Sequence, residues 1–152
     1  MLNTYFDAIV KEIIAQGGLV DKFIGDAVMA VFRGDFHLDR AIEASLAVRL
    51  QIEKLPAEQN GVDFRPKVSI GIHSGEMVSG NIGSATLKRL DYTVIGDVVN
   101  TAQRLQSMAH AGQILIDENA YEKVKEFFVC KIVGPLNLKH KQNTITAYEV
   151  VK

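Results

Sequence analysis

Cysteine is nearly absent from this chain: Cys130 stands alone, which excludes an internal disulfide and suits a reducing compartment. No apolar run is long enough to cross a bilayer, and the first residues lack the basic-then-apolar pattern of a secretion signal. Neither sign of charge is in excess. With 17 Lys and Arg against 18 Asp and Glu, the formal net charge is −1, so no overall field favours nucleic acid or an anionic membrane surface. An anionic ligand must be held by local positive groups. Linkers, repeats and low-complexity stretches are also missing, and the expectation is a single domain over residues 1–152. That domain is expected in the cytoplasm, alone or as part of a longer membrane protein, without membrane contact of its own. What is present is a soluble balance, 47% hydrophobic and 23% charged, in a chain long enough for a real core.

Periodicity divides the chain into mixed elements. Phe6, Ile9, Val10 and Ile13 recur at helical spacing until Gly17-Gly18 stops them. Leu19 to Phe32 reads as a hairpin, turning at Gly25-Asp26 between two apolar runs. Asp39 is placed to cap a second helix with Ile42, Leu46 and Leu50 as its stripe, ending near Pro56. "KVSIGI" (67–72) alternates as a strand, followed by the glycine-rich "GEMVSGNIGS". "RLDYTVIGD" (89–97) is another strand, and from Asp97 the period changes to a helix through Val98, Ala102, Leu105 and Ala109. "GQILID" is a short strand, Glu118 to Lys125 a short helix. Strands near Phe128 to Val133 and Ile145 to Val151 close the chain. Strands and helices without strict alternation predict an α+β sheet covered by helices on one face.

Two places in this pattern can carry chemistry. A Gly-Asp pair alone is usually only a turn. Asp26, however, is a carboxylate rigidly aimed from a hairpin tip, suited to a hard cation, and Lys22 lies four residues before it. A cation and a carboxylate at one end of a hairpin fit a nucleotide-metal site better than a core. Asn100 and Arg104, four apart, share one helix face. On most helices such a pair is only solvated. Here Asn100 falls in the first turn, where free N–H groups favour an anion, and the planar fork of Arg104 matches phosphate oxygens.

The segments "GGLVDKFIGDAVMAVF", "VSIGIHSGEMVSGNIGS" and "RLDYTVIGDVVNTAQRL" resemble, in order and spacing, the catalytic domain of class III nucleotidyl cyclases. The resemblance runs through "LNLKHKQNTITAYEV" near the end of the chain. It implies a ferredoxin-like antiparallel sheet and conversion of a nucleoside triphosphate to its 3′,5′-cyclic monophosphate and pyrophosphate. It also implies two divalent cations, Mg²⁺ or Mn²⁺, with Asp26 as a metal ligand. Arg104 would stabilise the α-phosphate transition state and Asn100 would orient the ribose. Lys22 and Thr93 match the base-reading pair. An ammonium only donates, which suits N1 of adenine, so ATP is the implied substrate. Lys139 and Lys141 stand where the family often has Lys-Gly-Lys, one of them meeting the terminal phosphates. His140 replaces the usual glycine. A head-to-tail homodimer is implied, with Asp26 of one chain facing Thr93, Asn100 and Arg104 of the other and, by family precedent, Lys22 on that partner's side with the base; spacing alone does not place Lys22.

The family's first strand, Phe-x-Asp-Ile-x-Gly-Phe-Thr with a second metal aspartate, has no counterpart here. The fold is therefore expected with its first strand missing, and the 152-residue chain is expected to be weakly active or inactive by itself. A non-catalytic nucleotide-binding or dimerisation module and a guanylyl cyclase are the alternatives.

Overall fold

Helix α1 (Leu2–Ala15) buries Ile9 and Ile13 and stops where expected, at Gly17 with φ 78°. The computed structural model describes residues 2–55, 58–59, 62–63, 67–75, 97–137 and 144–152. Strands β1 (Leu19–Ile24) and β2 (Ala27–Val31) form the opening hairpin. Ile24 pairs with Ala27, so Gly25-Asp26 is a two-residue turn. Its first residue alone has positive φ (59°), the II′ pattern whose twist suits a hairpin. Between Val20 and Lys22 the register shifts, leaving Asp21 as an extra residue in a β-bulge.

Helix α2 (His37–Glu53) differs from expectation at both its start and its stripe. Its cap position is Phe36, in left-handed conformation with no side-chain cap, so Asp39 lies in the first turn instead. Leu38, Ile42, Val48 and Ile52 are buried, whereas Leu50 is exposed. Two short strands, β3 (Glu58–Gln59) and β4 (Val62–Asp63), pair with each other. After β5 (Ile70–Ile72) come α3 (Asp97–Met108), β6 (Ile114–Asp117), α4 (Glu118–Val124), β7 (Cys130–Asn137) and β8 (Thr144–Val150). Helix α4 is capped by the Asp117 carboxylate, which accepts from the Ala120 N–H at 3.2 Å.

The main sheet has the order β5-β6-β8-β7. The class is α+β as expected, but the sheet is mixed: β5 and β6 run parallel, the other pairs antiparallel. A parallel pair needs a crossover, and α3 lies within it. The cover also differs in detail from helices on a single face. Ile114 and Ile116 pack with Leu38, Ile42 and Val124 of α2 and α4, while Leu115 between them packs with Leu105 of α3 and Ala147. Alternate residues of a strand point to opposite faces, so α3 lies across the sheet from α2 and α4. Gly71 seats α3 on β5. A Cβ there would stand 2.3 Å from the Gln106 nitrogen and 2.5 Å from the Ala102 oxygen, so the helix backbone rests on the strand.

The hairpin β1-β2 forms a sheet of its own. Between β2 and β5 lies a cavity of about 930 Å³. Consecutive residues 27–34 and 67–75 line it, and among the described residues no strand pairs with the facing edge of β2 or of β5. Tyr5, Ile9 and Ile13 of α1 wall one side, Val98, Ala102 and Gln106 of α3 the other. Among the described residues the strands thus fall into the main sheet, the β1-β2 hairpin and the short β3-β4 pair.

Candidate functional site

Asp26 projects from the hairpin turn, exposed, on the rim of this cavity. Its charge is felt by Tyr5 on α1: burial, with the Asp26 carboxylate adding to it, pushes the phenol above its ordinary value. Lys22 sits opposite Met29 with its side chain 40% exposed, and its Nζ lies 3.5 Å from Oδ2 of Asp21. Both expected residues of the hairpin are therefore available to a ligand.

On α3, Thr101 and Leu105 turn into the core, leaving Asn100 exposed and Arg104 half-buried one helical turn apart. Neither lines the cavity that Asp26 borders. The structure thus brings the predicted residues together in two sets, one on the hairpin and one on α3. Thr93, Lys139 and Lys141 lie outside the described residues.

As a cation site, Asp26 offers one hard oxygen ligand. No group of three His, Cys, Asp or Glu side chains converges to hold a metal among the described residues, so a two-metal site is not complete in them.

Several polar contacts near the cavity escaped sequence reasoning. The Nδ1 of His37 lies 3.2 Å from the Gly34 carbonyl, which accepts its proton and leaves Nε2 to accept from the Ser74 hydroxyl at 2.7 Å. That pair ties the start of α2 to the segment after β5. His73, read as packing, has Nδ1 3.0 Å from Oδ2 of Asp117, close enough to attract but misaligned for a full hydrogen bond. Burial raises the Asp117 carboxyl, but His73 and the Ala120 N–H outweigh it and hold the group below its ordinary value. Arg40 donates to the carbonyls of Arg33, Asp35, Gln16 and Gly17, stitching the ends of α1 and β2 together. Sequence spacing carries no signal for such long-range pairs. Burial pushes the Cys130 thiol up, away from reactivity.

The hairpin carries a carboxylate and a lysine, and helix α3 carries the Asn/Arg pair, within one α+β domain. The chain belongs to the adenylate and guanylate cyclase catalytic domain family, whose pattern it matches over residues 1–151. It is 36% identical over 159 residues to an adenylate cyclase of Anabaena cylindrica, covering 98% of this chain and 31% of that protein. To adenylate cyclase 1 of Rhizobium meliloti it is 30% identical over 160 residues, covering 99% and 24%. The chain therefore spans less than a third of the length of these curated relatives. Among solved structures it is similar to the adenylyl cyclase CyaB from P. aeruginosa, with TM-score 0.88 and 33% identity, over 99% of this chain and 80% of that one. It is also similar to the guanylate cyclase domain of RhGC from Catenaria anguillulae in complex with GTP, with TM-score 0.82, 25% identity and coverage of 99% and 81%. No helix among the described residues is long and apolar enough to cross a membrane.

Proposed function

We propose that this chain is the catalytic domain of an adenylyl cyclase, turning ATP into 3′,5′-cyclic AMP and pyrophosphate at sites shared between two head-to-tail copies. The observation that carries the reading is the separation of the two residue sets: Asp26 borders the cavity while Asn100 and Arg104 of α3 do not. A site needing all three is then most simply made by the hairpin of one copy and the α3 of another. In it, Lys22 of the copy that supplies α3 donates to N1 of adenine, where guanine would present a donor instead. Thr93 accepts from the exocyclic amine. Asn100 orients the ribose so that its 3′-oxygen attacks the α-phosphorus in line. The new O3′–P bond forms as the bond to the β-phosphate oxygen breaks, and pyrophosphate leaves. Arg104 meets the charge that grows on the α-phosphate oxygens. Lys139 or Lys141 holds the terminal phosphates. Mg²⁺ or Mn²⁺ at Asp26 is the cation this reading calls for; among the described residues one carboxylate is a partial site for it, which supports slow turnover by the 152-residue chain.

The same partial site favours the second reading, a nucleotide-binding module without catalysis. One set of measurements separates them. Slow cyclic AMP formation from ATP with Mn²⁺, exceeding cyclic GMP from GTP, supports the cyclase. Asp26→Asn and Arg104→Ala chains, each inactive, should recover about a quarter of the parental rate when mixed, because half the random pairs carry one intact site of two. No recovery on mixing refutes the shared site. Nucleotide binding without any cyclic product supports the module, and cyclic GMP as main product supports a guanylyl cyclase.

A further inference from the structure

Adjacent residues of a strand point to opposite faces, so Asp21 and Lys22 should not meet. They do meet, at 3.5 Å, because the bulge at Asp21 inserts an extra residue into β1 opposite the Ala30-Met29 step. A bulge of this kind turns successive side chains to the same side and is a device for re-aiming one of them. The two partners are unequal in exposure. The Asp21 side chain is 1% exposed and that of Lys22 40%. Neither Asp21 oxygen has a hydrogen-bond partner among the described residues, so the carboxylate is not there to satisfy the irregular backbone of the bulge. At 3.5 Å the lysine contact is an ion pair rather than a hydrogen bond, which is why both facts hold.

A carboxylate taken out of water without hydrogen bonds is costly unless an opposite charge stays beside it. Asp21 is thus a buried anchor whose attraction holds the half-exposed ammonium of Lys22 in place. Lysine is a flexible point charge with four rotatable bonds, poorly suited by itself to aiming a proton at one ring nitrogen. We infer that Asp21 is a positioning residue for base recognition: it tethers Lys22 so that the remaining N–H groups of the ammonium point at N1 of a purine nucleoside triphosphate. The inference rests on the proposed role of Lys22 in reading adenine.

The test is calorimetric binding of ATP and of 1-deaza-ATP, which lacks the N1 acceptor, to the 152-residue chain with Mn²⁺. The parent should prefer ATP. Lys22→Ala should erase that preference. Asp21→Asn, nearly isosteric but uncharged, should weaken ATP binding about tenfold and leave 1-deaza-ATP unchanged. Asp21→Glu, which keeps the charge, should restore part of the preference. If Lys22→Ala keeps the preference, or neither nucleotide binds the parent, the base-reading role of Lys22 fails and the inference with it. If Lys22→Ala erases it but Asp21→Asn leaves it intact, Lys22 still reads the base and only the tether is wrong. Equal weakening of both nucleotides by Asp21→Asn, or loss of folding by circular dichroism, makes Asp21 structural and overturns the inference.

Discussion

A guanidinium aimed at charge that develops on phosphate acts mainly after the substrate has bound. Arg104→Ala should therefore lower kcat roughly 100-fold or more, comparable with loss of one oxyanion donor, with little rise in KM. Product chromatography over a range of ATP concentrations measures both. A change confined to KM would show that Arg104 only binds. Asp117 belongs to the same scale but to stability. Its pKa is lowered in the folded state, so the ionised form favours folding. That contribution is complete above the unfolded value near about 3.9 and disappears as pH falls through the folded one. Asp117→Ala should cost about 1–2 kcal/mol at neutral pH, through loss of the α4 cap and the His73 contact. It should also flatten the acid limb of stability. Urea unfolding between pH 3 and 7 checks both, and parallel curves for parent and variant would contradict the assignment.

At the scale of elements, the position of Asn100 and Arg104 depends on how α3 sits on β5. Gly71→Ala drives a methyl into the backbone at Gln106 and Ala102, which cannot swing aside as a side chain would. The substitution should cost about 1–3 kcal/mol, as overpacking does, and lower turnover by displacing the helix that carries Arg104. A denaturation midpoint equal to the parent's would mean the contact relaxes freely. Gly71 also shows where sequence reading ends. "KVSIGI" gives a strand by its alternation, but the demand for a glycine comes from a helix some thirty residues later. Likewise the Gly25-Asp26 turn and the stop of α1 at Gly17 follow from local chemistry and were legible. The exposure of Leu50 and the parallel run of β5 beside β6 follow from what packs where, and were not. At the site, the spacing of Asn100 and Arg104 was readable from the helical period. The bulge that brings Asp21 against Lys22 was not, because register is a property of two strands.

For the whole molecule, the consequence of the slot between β2 and β5 is a problem of company. Among the described residues β2 and β5 each have one edge without a paired strand, and the apolar residues of α1 and α3 line the space of about 930 Å³ between them. Such edges template any extended chain that alternates apolar residues, another copy in an opened state included. In a concentrated solution the molecule should therefore seed its own clumping. Light scattering on gentle heating should rise steeply with protein concentration, and Met29→Lys, a charge on β2 away from the apolar cluster that Val28 and Ala30 join, should delay it. Scattering indifferent to that charge would locate the sticky surface elsewhere. The face between β2 and β5 thus bears on how densely this protein can be stored.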